Sequence, residues 1–317
     1  MIRNNMPKSW TISSIPPHDF FIGLDVDSYF DHEHLAAEIP DKGFIRTIAL
    51  DDRDVIVTVF FNGDVEEPKF PVEASEDVTQ EEKETINATL SRILGTDLDL
   101  KPLYEQAGRD PVLAPLLQEY YGLKRMARGN FFEDSLNRII KTQIQHAPTA
   151  RKMVYGVREA FSSTIDGPEG PVASWPQPER LSGADPHSMK KYGLSLRKGE
   201  YVIGLAEELV SGHLNIKELE QASPESFYNQ TIAIRGIGPT TAQDLMLFRN
   251  RTDAIFPSHF TKGRQTGLRM WIIHSYGGNP DQCTEAEFHD MIKSWKGCEA
   301  AALEFLYVNW VIGAKKG

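Results

Sequence analysis

Apolar residues follow two patterns along this chain. Over the first hundred residues they form short, dense clusters. From Asp110 onward they recur at three- to four-residue spacing. Residues 9–14 (Ser-Trp-Thr-Ile-Ser-Ser), 44–50 (Phe-Ile-Arg-Thr-Ile-Ala-Leu) and 55–61 (Val-Ile-Val-Thr-Val-Phe-Phe) are rich in β-branched and aromatic residues, as strands are. Asp51-Asp-Arg-Asp54 separates the last two as a turn, which predicts an antiparallel hairpin. Pro16-Pro17 and Pro40 interrupt the chain before it. Ile86, Leu90 and Leu94 then predict a helix over 79–94.

Beyond Asp110 the pattern is helix after helix. Asp110-Pro111 reads as a cap and a first-turn proline ahead of Leu113, Leu116 and Leu117. Phe132, Leu136, Ile139, Ile140 and Ile144 mark a core helix over 131–146, and a second follows over 149–161. Residues 166–178 carry prolines and glycines and are expected to be loop. Helical segments follow from Pro178, Asp185 and Lys198, with stops at Gly193 and Gly212, and Ser223-Pro224 opens another. The last segments run over 240–248, 267–276, 285–294 and 298–311, with a long loop starting at Arg249. The fold class is therefore mainly α with a small N-terminal α+β domain, divided as 1–108 and 109–317.

One stretch stands apart, Ile232-Ala-Ile-Arg-Gly-Ile-Gly-Pro-Thr-Thr-Ala-Gln243. An apolar helix end runs into Gly236-Ile-Gly238, and a new helix begins at once. Glycines allow positive φ and close approach, and Pro239 suits a first helical turn, where its missing N–H costs nothing. The product is a helix–hairpin–helix whose free N–H groups and helix N-terminus form a seat for an anion such as phosphate. An ordinary helix corner has the same local sequence.

Composition narrows the class. The 317 residues are 40% apolar and 25% charged, as in soluble globular proteins. No apolar run reaches the length of a membrane span, and the N-terminus has no signal-peptide pattern. Cys283 and Cys298 form no metal-ligand spacing, so neither zinc, an iron–sulfur cluster nor a disulfide is expected. A net charge of −11 argues at first against nucleic acid. The acidity is local, however. Residues 1–120 hold 24 acidic and ten basic groups, whereas residues 121–317 hold 21 acidic and 24 basic ones.

The order of these segments resembles the helix–hairpin–helix DNA glycosylase superfamily, in particular the alkylpurine type represented by 3-methyladenine DNA glycosylase II. Four blocks carry the resemblance: Phe132-Glu-Asp-Ser-Leu-Asn-Arg-Ile-Ile-Lys-Thr-Gln143, the run from Pro178 to Leu214, the hairpin with Ala242, and Ser294-Trp-Lys-Gly-Cys-Glu-Ala300. The resemblance implies two helical lobes flanking a cleft, and a base-excision-repair activity. Duplex DNA is bent, a wedge enters the stack, and the damaged nucleotide is extruded into the cleft. The implied partner is double-stranded DNA with a damaged or abasic nucleotide, bound by a monomer with no membrane involved. The implied compartment is cytoplasmic and nucleoid-associated in a prokaryote, nuclear in a eukaryote. Gly236, Gly238, Pro239, Thr240 and Thr241 would hold phosphates, and Gln143 falls at the wedge. The main-chain carbonyls of Ile232, Ile234 and Ile237 would bind a structural Na⁺ or K⁺. No other cofactor is implied.

The chain departs from the family at the chemistry. The family carries an Asp in a pattern like Phe-Pro-x-x-Asp-x-Gly-Leu-Arg, which stabilises positive charge on the sugar or orients water. Here the stretch is Phe256-Pro-Ser-His-Phe-Thr-Lys-Gly-Arg-Gln-Thr-Gly-Leu-Arg269, about five residues longer. The Asp position falls on Phe260 counted forward and on Gln265 counted back. Thr240 occupies the place of the lysine that forms a Schiff base in the bifunctional branch. Three readings are open. The chain is a glycosylase that recruits another group, with His259, Glu133 or Asp134 as candidates. Alternatively it is a catalytically inactive DNA-binding relative, or an interaction protein that shares the fold. Lys262 and Arg264, in the inserted segment, are the candidate DNA contacts that favour the first two.

Overall fold

The computed structural model describes residues 8–26, 43–51, 53–167 and 170–316; Pro40 and Asp52, named above, lie outside them. Four strands form one antiparallel sheet: β1 (Ser9–Ser13), β2 (Gly43–Ala49), β3 (Asp54–Phe60) and β4 (Lys69–Ala74), in the order β1-β4-β3-β2. β2 and β3 pair from Gly43 opposite Phe60 to Ala49 opposite Asp54, the hairpin that the sequence predicts. Helices α1 (Phe20–Val26) and α2 (Gln80–Leu94) follow β1 and β4. α2 is closed by a Thr79–Glu82 capping box and by left-handed Gly95. Its Ile86, Leu90, Ile93 and Leu94 join Val55, Val57, Val59 and Phe70 in the N-terminal core.

The other face of the sheet is also covered. Residues expected to be loop form a second hairpin, β5 (Thr164–Gly167) with β6 (Gly170–Ala173). Val172 and Ile165 pack on Ile45 and Ile56 of the sheet. The burial that holds this hairpin comes from residues more than a hundred positions away, so its local glycine- and proline-rich composition gives no sign of it.

The helical region comprises α3 (Lys101–Ala107), α4 (Leu113–Glu119), α5 (Phe131–Lys141), α6 (Ala147–Phe161), α7 (Pro178–Leu181), α8 (Leu196–Val210), α9 (Ile216–Gln221), α10 (Pro224–Ala233) and α11 (Pro239–Leu247). A two-stranded element, β7 (Phe260–Thr261) and β8 (Arg264–Gln265), precedes α12 (Gly267–Ser275), α13 (Glu285–Met291) and α14 (Glu299–Lys316). Pro186–Tyr192 and Lys293–Trp295 are 3-10 turns. One large core joins these helices, from Leu103 of α3 to Val308 of α14. Asp110 acts as a cap, but α4 begins only at Leu113; its Oδ1 accepts from Val112 N and Leu113 N, both at 2.9 Å. α9 is a further helix that the apolar spacing does not reveal.

α5 is buried on nearly every side. Its apolar face enters the core, and Glu133, Asp134, Ser135 and Asn137 on the remaining face are buried as well. Charged groups are tolerated there because each is paired. Arg46 of β2 reaches Glu133 at 2.5 Å, and Asp134 takes Arg92 at 2.9 Å and Arg128 at 3.1 Å. This ion-pair seam ties the sheet and α2 to the central helix. It also corrects the candidate role of Glu133 and Asp134: both carboxylates are committed to guanidinium groups inside the protein.

Candidate functional site

The hairpin forms as the sequence suggests, and its two glycines do different work. α10 ends at Ala233, and Ile237 N donates to Ile234 O at 3.0 Å to close the turn. Gly236 sits at φ +99, and a Cβ there would lie 2.4 Å from Cγ of Tyr201, so both backbone and space demand glycine. Gly238 is different. Its φ of −92 and ψ of 174 are open to any residue, and a Cβ would meet nothing within 4 Å. It is the N-cap of α11, with Pro239 next and no side chain capping the first turn. The helix N-terminus is therefore left bare beside exposed Gly238 and Thr240.

A second loop protrudes at the end of α5. The helix stops at Lys141, short of the expected end at His146, because Lys198 of α8 donates to Ile140 O and Thr142 O, both at 2.7 Å. Burial lowers the pKa of that ammonium. Gln143 follows in the left-handed region at φ +62, exposed to solvent. A non-glycine residue held there carries local strain of about 1 kcal/mol or more.

Between these features lies a cleft of about 430 Å³, formed where α11 packs on α5, α12 and α14. It is lined by Arg125, Arg138, Asp244, Leu247, Leu268, Trp271, Leu303 and Tyr307. The rings of Trp271 and Tyr307 stand 6.3 Å apart at 72°, edge to face. Asp244 of α11 pairs with Arg138 of α5, and Arg125 pairs with Glu304 while lying over the Phe248 and Tyr307 rings. Burial raises the pKa of Glu304, against the opposing pull of Arg125. Asp244 belongs to none of the sequence motifs, although it lies four residues after Thr240 and therefore on the same face of α11.

The inserted segment folds as the small hairpin β7–β8. Its tip is Lys262 at φ +53 and Gly263 at φ +78, the conformation that a two-residue hairpin turn requires. It leaves the body beside α11: Gln243 of α11 donates to Pro257 O at 3.2 Å, and Gly267 lies against Thr240 and Gln243. Phe260 is 55% exposed, and Lys262 and Arg264 project into solvent. Gln265, by contrast, is buried, and its amide donates to His259 O and Thr266 O, both at 3.2 Å. It closes its own loop. His259 offers its carbonyl to that closure as well, accepting from Thr266 N at 2.7 Å. Asp253, earlier in the loop, is held by Arg251 at 2.7 Å and Arg249 at 3.4 Å.

Comparison with known proteins gives a consistent picture. No family model matches the chain. It is 30% identical over 235 residues to the DNA-3-methyladenine glycosylase of Bacillus subtilis (strain 168), covering 74% of this chain and 75% of that protein. Among solved structures it resembles the 3-methyladenine DNA glycosylase of Archaeoglobus fulgidus, with TM-score 0.72, 21% identity and coverage of 95% and 97%. The Clostridium acetobutylicum 8-oxoguanine glycosylase/lyase shares the fold at TM-score 0.66, with 14% identity and coverage of 96% and 97%.

Proposed function

The chain belongs to the DNA-3-methyladenine glycosylase family, and from that premise we propose that it is a DNA N-glycosylase of base excision repair acting on alkylated purines. Duplex DNA docks on the bare N-terminus of α11 at Gly238 to Thr241, and Gln143 enters the stack where a nucleotide leaves it. The extruded base occupies the cleft beside Trp271 and Tyr307. The C1′–N bond then breaks with its electron pair passing to the base. The cationic alkylated base leaves neutral, water adds through oxygen to C1′, and the proton that water loses passes to solvent. No lysine stands at Thr240, so the reaction is hydrolytic rather than through a Schiff base.

The observation that carries this reading is Gly238. The fold does not need a glycine there, yet the residue leaves uncapped amides open to an outside anion next to an aromatic cleft. Binding through amides also suits a protein of net charge −11. The carbonyls of Ile232, Ile234 and Ile237 fit a monovalent cation. Ile234 and Ile237 lie in the closing turn and Ile232 in the last turn of α10, and Ile234 O, engaged by one N–H, keeps a second lone pair. Such an ion would add positive charge for a phosphate. Lys262 and Arg264 extend the same contact surface along the β7–β8 hairpin.

The test is binding to duplexes with and without a tetrahydrofuran abasic analogue, measured at several K⁺ concentrations. Tighter binding to the abasic duplex at every salt, falling steeply with salt, is the expected result. Equal affinity for the two duplexes would overturn the reading. The burial of Gln265 in its own loop favours a second reading, a relative that binds lesions without releasing the base. Abasic selectivity with no base release would identify it.

A further inference from the structure

Building on the proposed glycosylase reading, we propose that Asp244 supplies the carboxylate that this chain lacks at the family's motif position. The residues found by counting from the motif offer no acid: Gln265 is tied to two carbonyls, and Phe260 is an exposed hairpin residue. Glu133 and Asp134 are buried against arginines away from the residues that line the cleft. Asp253, bound by Arg251 and Arg249, does not line it either. Among the described residues that line the cleft, Asp244 is the one carboxylate.

Its position suits the role. It lies on the face of α11 that begins with Thr240 at the phosphate seat, so a nucleotide held by the hairpin and turned inward passes along that face. The side chain is 15% exposed, which leaves it open to the cleft but shielded from bulk water. In such a setting a negative charge acts strongly on a developing positive one. Arg138 pairs with the carboxylate from the α5 side. During C1′–N cleavage the sugar gains positive charge as the base takes the bonding electrons. Asp244 stabilises that charge without forming a bond, and water then adds to C1′.

The experiment uses two duplexes that differ only at one sugar position. One carries a pyrrolidine abasic analogue, cationic at neutral pH like the sugar in the transition state. The other carries the neutral tetrahydrofuran analogue. The wild-type protein is expected to bind the cationic duplex at least about tenfold tighter. Asp244→Asn should bring the two affinities together while leaving the tetrahydrofuran affinity within about threefold of wild type. Arg138→Gln separates a structural role from an electrostatic one. If Asp244 serves only to pair with Arg138, both variants lose the preference alike; the proposal expects Arg138→Gln to keep it. A preference absent from wild type, or surviving in Asp244→Asn, overturns the proposal. If neither abasic duplex is bound better than undamaged DNA, the glycosylase reading fails and takes this assignment with it.

Discussion

Replacing Gly238 by aspartate should move stability and DNA binding in opposite directions. The residue has extended backbone angles, and an added Cβ meets nothing within 4 Å, so the substitution carries no steric cost. Aspartate is a better N-cap than glycine by a few tenths of a kcal/mol, and its charge at the head of α11 adds about 0.3–1 kcal/mol. Thermal stability should therefore hold or rise by a few degrees. At the same site a phosphate would meet a negative group. At about 4 Å and an effective dielectric of about 20, the repulsion is about 4 kcal/mol before salt screening. The new carboxylate also captures the first-turn N–H groups that the phosphate would use. Retaining only half of this term still weakens binding by more than about tenfold. The assays are thermal unfolding and fluorescence anisotropy with an abasic duplex. Gly236→Ala is the contrast, since it collides with Tyr201 at a positive φ and should unfold the domain at lower temperature. Unchanged DNA affinity in Gly238→Asp would refute the reasoning, as would a fall in melting temperature that accounts for lost binding.

Other outcomes follow from the surroundings of individual groups. Burial pushes the Lys124 ammonium down to about 7, against the pull of Asp97 and Asp99, although Ser14 Oγ and Ile15 O accept from it. Above that pH the unfolded chain retains a proton that the native state has lost, so stability should rise with pH toward about 10. The slope from this group is up to about 1.4 kcal/mol per unit. Urea unfolding at pH 7, 8 and 9 should show a flatter rise in Lys124→Met, and an identical slope would contradict the assignment. Asp134→Asn removes one carboxylate from buried Arg92, which keeps Glu220, and one from buried Arg128, and should cost up to about 3–5 kcal/mol in denaturant unfolding. A loss below about 1 kcal/mol would mean that the seam is not structural. Gln265→Asp places an acceptor against two carbonyl oxygens. It should destabilise the protein by about 1–3 kcal/mol and give no gain in base release, whereas a gain would return the motif position to the chemistry. Lys262→Ala and Arg264→Ala should each lower the slope of log affinity against log salt by about one, checked by titration from 50 to about 200 mM salt.

The parts of this molecule governed by local chemistry were legible in the chain. The β2–β3 hairpin, the Thr79 helix start and the stops at Gly193 and Gly212 each follow from residues adjacent in sequence. The helix–hairpin–helix was also visible, but the sequence treats Gly236 and Gly238 alike. Only the packing of Tyr201 shows that one glycine is required by the fold and the other is not. What was hidden depends on distant partners. α5 stops early because Lys198, nearly sixty residues on, takes its last carbonyls. The β5–β6 hairpin exists because Ile45 and Ile56 need cover. Glu133 and Asp134 look like first-turn acids until Arg46, Arg92 and Arg128 are brought to them. Asp244 could have been found from its spacing to Thr240, but the cleft that gives it meaning is assembled from four helices.

The measurement closest to the central claim is single-turnover release of free base from duplex DNA methylated on purines, followed by chromatography of the released base. Wild-type protein should release methylated purines, leave undamaged purines in place and form no covalent adduct with the DNA. Gly238→Asp should release them only at much higher protein concentration. A folded wild-type protein that binds the abasic duplex but releases no base from methylated DNA at any concentration would contradict the account.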